Sequence, residues 1–172
     1  MKLLISLFFI TVLIFNPNAS FAQNTNVSRA AINYVNFDVD DDYFDFSVDG
    51  WGLSFDTAMN DKVMLQLDFF RLSEDGDDAD FSILSGGYAF GKLSEGSWFV
   101  GAARLDSDVA DSAETELEVG YASIAGADGP DWSVSYIDES VRGEVHFPAG
   151  VSLGVLTDGD VTLLNIGYHI KF

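Results

Sequence analysis

The stretch that most constrains this chain is its last, Thr162 to Phe172, reading TLLNIGYHIKF. Leu164, Ile166, Tyr168, Ile170 and Phe172 are apolar or aromatic, and Leu163, Asn165, Gly167, His169 and Lys171 between them are mostly polar or small. A period of two is the mark of a β-strand with one apolar and one polar face. The same alternation recurs upstream, most clearly at Val63/Leu65/Leu67/Phe69, Leu117/Val119/Tyr121, Trp132/Val134/Tyr136 and Val141/Val145/Phe147. An all-β fold is expected. An amphipathic strand placed last predicts a sheet that closes on itself.

The other end of the sequence reads as an address. Met1-Lys2 is followed by the apolar run Leu3–Phe15, the break Asn16-Pro17-Asn18, and the small residues of Ser20-Phe21-Ala22. That order predicts a secretory signal peptide over residues 1–22, cleaved after Ala22. The run falls short of the roughly 20 residues a membrane-spanning helix needs. With no cysteine in the chain, a lipoprotein anchor, disulfides, thiolate metal sites and cysteine nucleophiles are all excluded. Residues 23–29 are expected to be a flexible leader, and residues 30–172 the folded unit.

Taken together, these features resemble the small outer-membrane β-barrel proteins of Gram-negative bacteria. In that family the terminal strand follows the pattern polar-x-Gly-x-x-hydrophobic-x-aromatic. Asn165, Gly167, Ile170 and Phe172 fill it, and Tyr168 adds an aromatic. The resemblance implies an outer-membrane location, recognition of these five residues by the barrel-assembly machinery, and contact with outer-membrane lipids and lipopolysaccharide.

Ten strands are predicted: Ala30–Asp38, Phe44–Ala58, Lys62–Leu72, Phe81–Phe90, Trp98–Leu105, Thr115–Ala125, Trp132–Ile137, Val141–Phe147, Val151–Leu156 and Thr162–Phe172. They suit a transmembrane, antiparallel, up-and-down β-barrel, with eight strands as the alternative if the short hairpins near 137–141 and 147–151 merge. In the second strand the apolar parity switches from Phe44/Phe46/Val48 to Trp51/Leu53/Phe55 across Asp49-Gly50, which predicts a β-bulge. The odd-numbered connections hold sixteen of the 28 acidic residues and no Lys or Arg. The even-numbered ones hold four acids and Lys92. Ten strands place the acidic set outside the cell and both termini in the periplasm. Phe90, Trp98 or Phe99, Trp132, Phe147 and Phe172 would then form an aromatic girdle at the periplasmic interface.

The formal charge of −20 becomes −21 once Lys2 leaves, which excludes nucleic acid as a partner. An apolar lipid face requires a polar interior. Its expected network is Asp68, Glu116, Glu118, Arg142, Glu144 and His146, with Gln66, Asn165, His169 and Lys171 on the same face. Arg142 is expected to have a carboxylate partner among Glu116, Glu118, Glu144 and Asp68. No cofactor is expected. The acidic runs 38–42 and 74–80 read first as solvated loops, and second as carboxylates that bind divalent cations or bridge them to lipopolysaccharide; neither matches an EF-hand. The two histidines lack a serine-bearing motif beside them, so an enzyme, such as a lipid-A-modifying barrel, is not expected. The expected role is a structural or interaction barrel with a filled polar lumen. A narrow, porin-like channel for small solutes is the alternative, and a soluble periplasmic β-barrel a lesser one.

Overall fold

The computed structural model describes residues 27–41, 44–74, 77–108, 113–124 and 129–172. The expected signal peptide, the first part of the leader and parts of the acidic loops lie outside these residues. Ten strands form: β1 (Val27–Asp41), β2 (Phe44–Met59), β3 (Val63–Glu74), β4 (Asp77–Ala89), β5 (Ser97–Ser107), β6 (Glu114–Ser123), β7 (Asp131–Ile137), β8 (Ser140–His146), β9 (Val151–Thr157) and β10 (Val161–Lys171). Each pairs antiparallel with its sequence neighbours, and β1 pairs with β10, so the sheet is a closed up-and-down barrel. Closure removes the free edges that a long apolar sheet would otherwise present. Ten strands, rather than eight, is the outcome.

Closure is specified by the terminal strand. Arg29 to Val39 pair residue by residue with Lys171 to Val161. Beyond them, Ser28 and Phe172 exchange two backbone hydrogen bonds, at 3.2 and 2.9 Å. β1 therefore starts at Val27, earlier than the Ala30 expected from sequence, because Arg29 is a working member of the interior and not part of a leader.

One end of the barrel holds both barrel termini and the β2–β3 and β4–β5 connections. Asn60 and Asp61 both take positive φ, 55° and 58°, as the central pair of the tight β2–β3 turn that Lys62 N–H closes by donating to the Met59 carbonyl at 3.1 Å. The β4–β5 connection contains a single 3₁₀ turn, Leu93–Glu95, tied to its neighbour turn through Ser94 N–H and Oγ, both donating to the Asp61 carboxylate at 2.7 Å. At the opposite, acidic end the wall is uneven. β1 and β2 run 15 and 16 residues, whereas β7, β8 and β9 each run seven.

The bulge expected at Asp49-Gly50 is absent. Register between β1 and β2 is continuous from Val27↔Ala58 to Asp41↔Phe44. The parity switch has another cause. Val48 faces the interior, where it packs with Val35, Phe70, Leu72, Ile83 and Leu163, while Trp51 and Leu53 face outward. The strand keeps its phase, and the apolar environment changes sides.

Candidate functional site

The interior has three layers. At the terminal end, Val27, Ala58, Ala89, Leu93, Phe99, Ala122 and Ile124 form an apolar cluster beneath the 3₁₀ turn. Toward the acidic end lies the cluster around Val35, Phe70, Ile83 and Leu163, with Phe37, Phe81 and Leu156 against it. Between the two sits a charged layer.

That layer is built from inward alternates of several strands. The Arg142 guanidinium on β8 pairs with Asp68 on β3. It also donates to Glu144 Oε1, through Nη2 at 2.9 Å and Nε at 3.1 Å. Gln66 Nε2 donates to both Glu144 oxygens at 2.6 Å, making a second bridge between β3 and β8. Those two strands stand on opposite sides of the ring. Glu118 accepts from Ser135 Oγ at 2.7 Å. Glu116 lies one inward step toward the acidic end, half-buried, and no ion pair joins it among the described residues.

A second cluster lies nearer the terminal mouth. Arg29 donates to Asp56 through Nε at 2.7 Å and to Asp131 through Nη1 at 2.9 Å. Lys171 Nζ donates to the same Asp131 oxygen at 2.9 Å. His146 links the clusters, its Nε2 standing 3.7 Å from Glu144 and 3.9 Å from Asp56. Its ring meets that of His169 edge-on, with centroids 5.3 Å apart. Buried charge is stable only when paired and hydrogen-bonded, and here each buried arginine has two carboxylates. Outside the wall, Glu95 at 2.7 Å from Lys92 holds that ammonium above the usual lysine range.

Little space remains. The charged layer holds one cavity of about 30 Å³ beside Arg29, Asp56, Gln66, Glu144 and His146. A second, of about 10 Å³, lies between Glu118, Ser135 and Arg142. These are about one water molecule in size or slightly more. An open cleft of about 300 Å³ reaches the mouth beside His146, His169 and Lys171. No group of three His, Cys, Asp or Glu among the described residues has the geometry of a metal site.

Of the six residues expected in the network, Asp68, Arg142, Glu144 and His146 come together, Glu118 stands beside them through Ser135, and Glu116 stays apart. Arg29, Asp56 and Asp131 were not anticipated. Arg29 shares the parity of Ala31, Asn33 and Val35, all inward, and that phase is the signal that finds it. Asp56 shares the phase of Gly52 and Ser54 in the same way. The five residues of the expected assembly signal split by face: Tyr168, Ile170 and Phe172 are exposed, while Asn165 and Gly167 turn inward.

No family model matches the chain, and no curated protein does. Among solved structures, similarity extends to Neisserial surface protein A (TM-score 0.36, 11% identity, 85% of this chain and 95% of that one). It extends also to Ail, the attachment invasion locus protein of Yersinia pestis (TM-score 0.34, 15% identity, 84% and 99%). A third is the outer membrane protein OprG from Pseudomonas aeruginosa (TM-score 0.32, 16% identity, 86% and 95%).

Proposed function

We propose that this chain is an integral outer-membrane β-barrel of a Gram-negative bacterium, structural or interacting in role and not catalytic, with a lumen closed to solutes. One observation carries the reading: the barrel is inside out relative to a soluble one. A network of charges is buried at its centre, and many large apolar side chains are exposed on its outside. Ile32, Tyr34, Trp51, Leu53, Leu84, Tyr88, Trp98, Leu117, Tyr136, Leu164 and Ile166 all stand on the outer wall. A soluble protein rarely exposes more than a few hundred Å² of contiguous apolar surface.

This apolar belt has edges. At the acidic end its outward alternates become Asn36, Asp49, Arg71, Ser82, Arg104 and Thr115. At the terminal end it carries Phe90, Trp98, Trp132, Phe147 and Phe172, all exposed; Phe99 points inward, so Trp98 is the girdle member of that pair. Leu164 to Phe172 covers about 27 Å of strand. A tilt of about 40° foreshortens that to about 21 Å, near the roughly 25 Å apolar band of such barrels. Arg71 and Arg104 mark where the band must end, because a cation at mid-bilayer costs about 2–4 kcal/mol.

The closed lumen is supported by the two apolar clusters and the bridges between β3 and β8, and barrels of this size are narrow enough to be filled by side chains. Assembly through the terminal strand, contact with lipopolysaccharide at the Arg71–Arg104 level, and divalent cations at the acidic loops belong to the same proposal. Reconstitution into planar bilayers tests it. The folded protein should run as a heat-modifiable band and give no current steps. Steady steps above background would favour the narrow channel, and a monomer soluble without detergent would overturn the membrane reading.

A further inference from the structure

The outer wall is not evenly filled. One register row crosses it as Trp132, Val145, Leu153, Ile166 and Tyr34, from β7 to β1. In the next row toward the acidic end, Gly143 and Val155 are the central pair. Together the rows line an apolar groove of about 700 Å³, a volume typical of small-molecule sites, which run from about 300 to 1,000 Å³. Its floor is Gly143 and short β-branched residues, and its sides are Trp132 and Tyr34.

The sheet itself does not require a glycine at 143. A Cβ there would meet only Val155 Cγ1, at 3.4 Å, an ordinary contact. At Gly120, by contrast, a Cβ would lie 2.6 Å from the Val134 carbonyl oxygen. The bare backbone at 143 therefore serves the groove and not the packing. The outward residues lining the groove are apolar or aromatic apart from Gly143 and, at the β1 end, Asn36, which donates to Ser47 Oγ at 2.9 Å and to Asp49 at 3.0 Å.

We propose that this groove seats one acyl chain of a specifically bound membrane lipid, lying across β8, β9 and β10 with its head group toward Asn36 on β1. The inference rests on the membrane reading above. Continuity with the apolar belt on both sides argues for a hydrocarbon occupant. The single polar end argues for a lipid over a second copy of the chain, which would need no such asymmetry.

The test uses the full chain in phosphatidylcholine vesicles doped with lipid brominated on its acyl chains. Single-tryptophan variants retain Trp132, Trp51 or Trp98. At low mole fractions of brominated lipid, Trp132 fluorescence should fall more steeply than that of either other tryptophan. Gly143→Leu should abolish the steep component, with Val155→Phe as a second way to fill the floor, while Ala102→Leu on the far wall should preserve it. Equal quenching curves for the three tryptophans, or a steep component that survives both filling variants, would overturn the proposal. So would a disulfide-linked dimer through Val134→Cys, which would assign the groove to a second copy. No quenching at any tryptophan would overturn the membrane reading itself, and the groove with it.

Discussion

Arg142 on β8 and Asp68 on β3 form an ion pair across the full width of the barrel, each about 5% exposed or less. Four strands lie between them in either direction around the ring. A pair of this span does two things. It ties opposite walls together, and it places a guanidinium in the path any solute would take.

Removing one member of such a pair leaves an uncompensated buried charge. Arg142→Leu should destabilise the barrel by about 3–5 kcal/mol, read as a lower urea midpoint in detergent micelles. Arg142→Leu combined with Asp68→Leu should recover part of that loss, because one of the two carboxylates left without Arg142 is gone, and Glu144 keeps Gln66. A single variant as stable as the parent would show that the pair is not formed in the folded protein.

Much of this architecture was legible in the sequence, for one physical reason. A wall that is apolar on its outside and polar on its inside must alternate strictly, and the phase of Leu117/Val119/Tyr121 or Val141/Val145 follows directly. Phase becomes unreadable where both faces are apolar. At Phe46 and Val48 the interior is as greasy as the belt, so a continuous strand looks interrupted. Arg29 was hidden differently: it stands just outside the first recognisable apolar alternation, and only pairing with β10 shows that the strand begins before it. Pairing across the ring, such as Arg142 with Asp68, leaves no local trace, since those residues are 74 positions apart.

The acidic end should face the cell exterior. Asp158, in the β9–β10 turn, and Ala149, in the β8–β9 turn, lie at opposite ends of the barrel. A cysteine replacing Asp158 should react with a membrane-impermeant maleimide on intact cells, and one replacing Ala149 only after permeabilisation. The reverse labelling would turn the barrel over.

Phe172 closes the ring through two backbone bonds to Ser28 and packs its side chain near Phe55, with ring centroids 6.4 Å apart. Deleting it removes those bonds at the seam and the last aromatic of the terminal strand. The truncated protein should be cut at the expected site after Ala22 as the parent is, but accumulate less of the heat-modifiable form in the membrane fraction. Normal membrane yield would count against a role for this residue in assembly.

Arg29 should matter as much as Arg142, although it is a single residue near the start of the first strand. Its guanidinium is shared between Asp56 on β2 and Asp131 on β7, so it links neighbouring and distant walls at once. Asp131 has Lys171 as a second cation, whereas among the described residues Asp56 has, besides Arg29, only His146 at 3.9 Å. In Arg29→Met, then, Asp131 keeps a partner and Asp56 is the carboxylate left exposed to the cost of burial. The loss should be about 3 kcal/mol or more. Adding Asp56→Asn should restore more stability than adding Asp131→Asn, because the amide relieves the carboxylate that has no lysine. Urea titrations of the three variants in one detergent decide the matter. Equal rescue by the two asparagines would mean that Lys171 does not hold Asp131 when Arg29 is gone, and would break the assignment of separate roles to the two acids.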